Sequence, residues 1–177
     1  GSHIDGFHHA VLATLSSMAD NGKQQTHINI LPGMVSPADM RYLHEIMREF
    51  EIDAVIFPDY SKSLDNVFTH EYQLIPSGGT KIKDIRRTGT AKATIEFGTV
   101  FAKASTRVRA TKNTPTAGEW LQDNRYIRNF QMPLPIGINA CDHFYNTLCK
   151  IGSKKMPEKF VEERGRLVDS YVDGHKY

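Results

Sequence analysis

One segment near the start of the chain limits the folds open to all of it. Thr26–Leu31 is a short run rich in aliphatic residues and ended by Pro32-Gly33, which is typical of a buried strand that stops at a turn. A helical pattern over Pro37–Phe50 follows, and a second apolar run, Ile52–Pro58, comes after it. A strand, a helix and a second strand in this order form a βαβ unit with parallel strands. We therefore expect an α/β fold built on a parallel sheet.

The rest of the chain extends this alternation. Further strands are predicted at Ala91–Phe97 and Asn129–Pro135, which gives a mostly parallel sheet of about four strands. Helices are predicted at residues 5–20, from Thr80 onward, at 99–112, 118–124 and 139–151, and from Pro157 to the end, with a short extended segment at 71–75. Ser36, Asp5, Thr80 and Asn139 are the expected N-caps.

The totals exclude several classes of protein. A net charge of +2 does not demand a nucleic-acid partner, and no apolar run approaches the ~20 residues that span a bilayer. Two cysteines in 177 residues argue against a disulfide-built secreted fold and favour the cytoplasm. Gly1-Ser2-His3 is typical of a tag remnant, so residues 1–3 are set aside.

Most metal-binding patterns are absent from the sequence. His8 and His9 are adjacent on a helix and point about 100° apart, so we interpret them as surface or partly packed histidines. Cys141 and Cys149 lie eight residues apart on one predicted helix, about 12 Å along its axis, which is too far to share one ion. We expect both to be buried thiols.

Two weaker patterns concern ions. Gly78-Gly79-Thr80 precedes a predicted helix and is a possible anion-facing turn, although a tight turn that needs positive φ is the simpler explanation of the glycines. Asp169 and Asp173 are four residues apart on the last predicted helix, so their carboxylates share a face and are candidate ligands for a hard cation. Two carboxylate ligands alone are too few to hold a metal ion. A solvated acidic face is the alternative.

The most basic part of the chain lies between residues 81 and 112. A solvated helix face is the simpler interpretation, and docking of an acidic protein partner is the alternative. Sparse aromatic residues disfavour a platform for single-stranded nucleic acid.

Motifs along nearly the whole chain match one family in order. Glu163–Asp169, with the sequence ERGRLVD, resembles a segment of the β-type subunits of nitrogenase component 1. Ile28–Gly33 and Pro135-Ile136-Gly137 resemble turns of the same family. Ser63-Leu64-Asp65, Gly78-Gly79-Thr80, Asp84–Arg87 and Ala93-Thr94 resemble its cofactor-assembly paralogue.

The resemblance implies a Rossmann-like or flavodoxin-like three-layer sandwich with flanking terminal helices. Residues 4–155 correspond to the middle of three domains, and residues 156–177 to the helix leading to the next domain. The implied reaction is the ATP-coupled, iron–sulfur-dependent reduction of dinitrogen. The implied partners are a homologous α-type subunit, a second β-type subunit and an iron protein that supplies electrons, with no membrane and no nucleic acid.

The resemblance also limits what this chain is expected to hold. The family's cluster-ligating cysteines lie in a first domain outside this sequence, so iron–sulfur and molybdenum–iron clusters are implied for the full complex and none for this piece. Asp169 and Asp173 match acids that help bind a metal ion between β-type subunits. We expect the isolated piece to be folded, colourless and inactive. A scaffold for cofactor biosynthesis and an unrelated flavodoxin-like binding module remain alternatives.

Overall fold

A computed structural model describes residues 3–64, 74, 78–98 and 114–174. The helix predicted at 99–112 lies outside these residues, as does the extended segment predicted at 71–75 apart from Leu74. In the described part, the predicted alternation of strands and helices is present from end to end.

The sheet has four strands and all of its pairs are parallel. The strands are β1 (Ile28–Leu31), β2 (Ala54–Ile56), β3 (Ala93–Phe97) and β4 (Arg128–Met132). Their order is β2-β1-β3-β4, with Ile28 opposite Ala54 on one side and Ala93 on the other. The predicted α/β class and the βαβ unit are therefore confirmed, with each strand shorter than its apolar run.

Six α-helices occur in the described residues. They are α1 (His3–Met18), α2 (Pro37–Glu49), α3 (Ile82–Arg87), α4 (Ala117–Arg125), α5 (Ile138–Gly152) and α6 (Glu158–Gly174), and a 3₁₀ turn, Thr88–Thr90, follows α3. No helix in this part of the chain is both long and apolar enough to cross a bilayer.

Apolar residues form two cores, one on each face of the sheet. Ile28, Ile30 and Ile95 pack with α2 and α5, including Met40 and Phe144. Leu31 and Val55, which point the opposite way, pack with α1, α3 and α4. Because side chains alternate along a strand, the central strands are covered on both sides. The three-layer sandwich is confirmed.

The helix N-termini test the N-caps that were predicted from the sequence. Ser36 caps α2 as predicted, and its hydroxyl accepts from Asp39 N–H at 3.1 Å. Asp5 and Asn139 were wrong as N-caps. Helix α1 begins at His3 and so includes Asp5 in its first turn, and α5 begins at Ile138 after Gly137, which has φ +80°.

Helix α6 is anchored to the domain near its start. Phe160 is buried and stacks on Tyr145 with ring centroids 4.7 Å apart. Lys159 forms an ion pair with Glu45 of α2, and Arg164 Nε bonds both oxygens of Asp142 on α5 at 2.8 and 2.9 Å. The other apolar residues along α6 are partly or largely exposed: Val161, Leu167, Val168, Tyr171 and Val172.

Gly165 gives the first test of this arrangement. A close neighbour would account for a glycine inside α6, but no described atom apart from the adjacent residues and the backbone of the same helix lies within 4 Å of a Cβ built there. We therefore expect Gly165→Ala to stabilise the helix by about 1 kcal/mol, the usual difference in helix propensity. Hydrogen exchange of the α6 amides measures it. Slower exchange is the expected result, and unchanged or faster exchange would contradict it.

Candidate functional site

The order of the strands marks one crevice as the place where a ligand site is most expected. The chain crosses from β1 to one side for β2 and to the other side for β3, and open parallel sheets bind ligands outside the carboxyl ends of such strands. In this protein the crevice is lined mainly by apolar residues, among them Leu31, Phe57, Phe97 and Ala117. Among the described residues that line it, Glu96 alone carries a carboxylate.

Glu96 lies near the end of β3 and is 8% exposed. Its Oε2 accepts hydrogen bonds from Thr116 Oγ1 at 2.7 Å, Asn129 Nδ2 at 3.0 Å and Gln131 Nε2 at 3.1 Å. Its Oε1 accepts from the backbone N–H of Gly118 at 3.2 Å. A buried carboxylate is tolerated when several donors satisfy it. Glu96 therefore joins the first turn of α4 to strands β3 and β4.

The start of α4 is built around this carboxylate. Thr116 and Glu119 form a reciprocal capping box, with Thr116 N–H donating to Glu119 Oε2 at 2.7 Å. A Cβ on Gly118 would lie 2.4 Å from Asn129 Nδ2, so only glycine lets the helix approach β4 this closely. The cluster around Glu96 therefore serves to dock α4 on the sheet, because the two Glu96 oxygens already accept four hydrogen bonds.

A second polar cluster follows β2. Asp59 Oδ2 is 2.7 Å from His44 Nε2, and Asp59 Oδ1 accepts from the N–H and the hydroxyl of Ser61 at 3.0 and 2.7 Å. Burial disfavours the charge on Asp59, but the hydrogen bonds from Ser61 and His44 outweigh it and hold the pKa of Asp59 below its ordinary value. Because the Ser61 hydroxyl donates to Asp59 and not to His44, this is not the hydrogen-bond chain of an activated serine nucleophile.

The lowered pKa predicts how stability depends on pH. Ionised Asp59 stabilises the fold above about pH 5, and that stabilisation is lost as the pH falls below about 4, the unfolded value, toward the lowered folded pKa. We expect Asp59→Asn to lower the free energy of unfolding by about 1–2 kcal/mol at neutral pH and by less at pH 3. Urea unfolding of this variant beside Asp123→Asn, an exposed aspartate, measures the difference. An equal loss at both pH values would contradict the prediction.

The turn at Gly78-Gly79-Thr80 packs against the same cluster. Gly78 and Gly79 have φ +116° and +82°, as a tight turn requires. Thr80 was wrong as an N-cap, because its Oγ1 accepts from Asp59 N–H at 2.8 Å and Lys81 precedes the helix instead. An anion-facing role for Gly78, Gly79 and Thr80 stays a prediction.

The aspartates of α6 are both exposed, on the part of the helix beyond its anchored start. Asp169 and Asp173 are one helical turn apart, as predicted. No group of three or more His, Cys, Asp or Glu side chains among residues 3–64, 78–98 and 114–174 converges where it could hold a metal ion. A cation at this pair therefore requires ligands from elsewhere.

The two cysteines do not form a metal centre with each other. Both thiols are free and only partly buried, so the prediction of buried thiols was too strong. Burial raises the pKa of Cys141 and of Cys149, and Cys141 Sγ lies 3.0 Å from Pro135 O. A raised pKa disfavours the thiolate that ligates metals. His9 is exposed and His8 is half-buried, with its ring edge-on to the ring of Phe7.

The whole sequence matches one family model. Residues 1–177 match the model of nitrogenase component 1 type oxidoreductases. The chain belongs to this family. It is 32% identical to the nitrogenase molybdenum-iron protein beta chain of Clostridium pasteurianum, over 100% of this chain and 36% of the relative. It is 29% identical to the nitrogenase iron-molybdenum cofactor biosynthesis protein NifN of Rhizobium meliloti, over 99% of this chain and 38% of that protein.

A solved structure gives the same result in three dimensions. The structure of nitrogenase Cp1 at pH 6.5 matches with a TM-score of 0.85 and 32% identity, covering 100% of this chain and 36% of that one. The resemblance to nitrogenase component 1 is thus confirmed, and the alternative of an unrelated binding module is wrong. The chain spans about a third of the length of the relatives it matches.

Sequence reasoning missed the two polar clusters of this nitrogenase component 1 domain. Thr94 and Glu96 alternate with apolar residues in β3, and Asn129 and Gln131 do so in β4. Two neighbouring strands with polar residues on the same alternate positions indicate a polar stripe on one face of a sheet. That alternation was a usable signal for Glu96. Nothing comparable marks Asp59, whose partners come from three separate segments.

Proposed function

We propose that residues 4–155 form the central domain of a β-type subunit in a nitrogenase component 1 oxidoreductase, and that residues 156–177 lead to a further domain. The observation that carries this proposal is the match along the whole chain to a molybdenum-iron protein beta chain, in both sequence and structure. In the full complex the reaction is the ATP-coupled, iron–sulfur-dependent reduction of dinitrogen, in the cytoplasm.

The part played by this domain is structural. Iron–sulfur clusters need convergent thiolates, whereas Cys141 and Cys149 have raised pKa values and lie on α5 without converging ligands in the described residues. The residues present therefore do not fit a cluster, and the clusters of the complex belong to other parts of the protein. We propose an α-type subunit, a second β-type subunit and an iron protein as partners.

Asp169 and Asp173 are proposed as ligands of a divalent cation between two β-type subunits. Their one-turn spacing places both carboxylates on one face of α6, and oxygen ligands suit a hard cation. Oxygens from a second β-type subunit complete the coordination. Asp169→Asn with Asp173→Asn in the assembled protein is expected to remove this cation without removing cluster iron, as measured by metal analysis.

Cofactor assembly is the second candidate function. The observation that favours it is the 29% identity to NifN, nearly as high as the identity to the beta chain. Both functions use the same fold, so the domain alone does not separate them.

One experiment separates the two candidates. The full-length reading frame is produced anaerobically with its α-type partner and purified for iron analysis, electron paramagnetic resonance and activity with the iron protein. A β-type catalytic subunit gives ammonia from dinitrogen. An assembly scaffold gives no ammonia but transfers molybdenum–iron cofactor to a cofactor-free component 1. A complex that does neither would overturn both functions.

A further inference from the structure

A compact set of exposed cations surrounds α3 and the turn before it. A Cβ on Gly78 would lie 3.0 Å from Lys62 Cβ, and Thr80 Oγ1 accepts from Asp59 N–H at 2.8 Å, so the segments 59–64 and 78–86 form one surface. We name this surface the α3 patch, and its exposed members are Lys62, Leu64, Lys81, Ile82, Lys83 and Arg86.

Helix geometry places the α3 members of the patch together. Ile85 is buried and fixes the inward side of the helix. At about 100° per residue, Ile82, Lys83 and Arg86 occupy one continuous arc of about 100° on the outer side. Ile82 is 62% exposed, so a large apolar side chain lies beside the cations.

The positive charge of the α3 patch is not neutralised within the described residues. Asp84 and Asp53 pair with Arg87, which is outside the patch. Lys62, Lys81, Lys83 and Arg86 make no ion pair in residues 3–64, 78–98 and 114–174. These four cations contrast with the net charge of only +2 of the whole chain.

We propose that the α3 patch docks an acidic protein surface that also carries an apolar residue. Four cations in a small area complement carboxylates, and Ile82 and Leu64 provide the apolar contact that a protein interface needs. Nucleic acid fits less well, because the patch has no aromatic residue for stacking on bases and includes two large aliphatic side chains. This docking goes beyond the proposed function and does not depend on which candidate is correct.

The test uses the full chain and three fluorescein-labelled probes measured by fluorescence anisotropy. The probes are a random copolymer of glutamate and tyrosine, a homopolymer of glutamate, and duplex DNA. The copolymer should bind most tightly, because its tyrosines supply the apolar contact. Ile82→Ser should reduce copolymer affinity to that of the glutamate homopolymer.

Matched charge reversals decide whether the patch is the site. The test variant carries Lys81→Glu, Lys83→Glu and Arg86→Glu, and the control carries Arg48→Glu, Lys150→Glu and Lys155→Glu, which are exposed cations elsewhere. The test variant should lose about tenfold or more in copolymer affinity, and the control should change by less than about twofold. Circular dichroism checks that both fold.

Three results would overturn the proposal. The first is an equal loss of copolymer affinity in the two charge-reversal variants. The second is tighter binding of duplex DNA than of the copolymer, and the third is that neither acidic polymer binds. If the test variant does not fold, the single variants Lys83→Glu and Ile82→Ser carry the same comparison, and unchanged affinity in both would also overturn it.

Discussion

Gly89→Ala is expected to destabilise the protein more than any other single methyl group added to a described glycine. A Cβ at this position would lie 1.9 Å from the carbonyl oxygen of Asp20 and 2.8 Å from its nitrogen. Both are backbone atoms at the end of α1, so no side-chain rotation relieves the overlap. Overpacking of this kind costs about 3 kcal/mol or more when the backbone must move.

The surroundings of Gly89 resist that movement. Asp20 N–H donates to Arg86 O at 3.0 Å, and the Arg125 side chain donates to Asp20 O and Ala19 O at 3.1 and 3.0 Å. A shift of α1 large enough to admit a methyl group would break these bonds and separate Leu15 from the core on its face of the sheet. The loss therefore combines strain with lost hydrogen bonds.

Urea unfolding measures this effect, with Gly6→Ala as the matched control. Gly6 lies in the first half of α1, and no described atom apart from the adjacent residues and the backbone of the same helix is within 4 Å of a Cβ built there. Alanine should therefore leave stability unchanged or raise it slightly. If Gly89→Ala unfolds at the same urea concentration as the unchanged chain, the contact between α1 and the 3₁₀ turn does not hold the helix.

The sequence predicted those structural features whose signal lies within a single segment of the chain. The strand and turn at Thr26–Gly33, the capped helix α2 and the continuous apolar run in β2 each carry their own signal, and each was confirmed. The N-caps proposed for Asp5, Thr80 and Asn139 were wrong. Two of the helices begin earlier than these residues, and the Thr80 hydroxyl makes a competing contact with a distant residue.

Contacts between distant segments were not predictable in this way. The apolar positions of α6 follow a helical period whether or not a neighbour covers them, so periodicity alone does not reveal that Leu167 and Tyr171 are exposed. The cluster around Glu96 joins residues up to 35 positions apart. The sequence showed the polar alternation but not which donors would meet the carboxylate.

Glu96 gives the second large effect. Glu96→Ala removes an acceptor for four donors, of which Gly118 N–H is buried and has no water to replace it. Unsatisfied buried donors cost about 1–3 kcal/mol each, and some of these side chains regain water because Gln131 is exposed. We expect a loss of about 3–5 kcal/mol, in the range found when one partner of a buried charged network is removed.

Glu96→Gln tests whether the carboxylate or merely its shape is needed. The amide keeps the volume of Glu96 but turns one acceptor oxygen into a donor, which then faces either Gly118 N–H or the three side-chain donors. We expect a loss of about 2–3 kcal/mol, together with a change in the emission of Trp120, the single tryptophan, as α4 loosens. Glu119→Gln is the matched control, since glutamine preserves a capping box and should cost little. If Glu96→Gln is as stable as Glu119→Gln and leaves Trp120 unchanged, α4 is docked by its apolar contacts through Leu121 and not by the carboxylate.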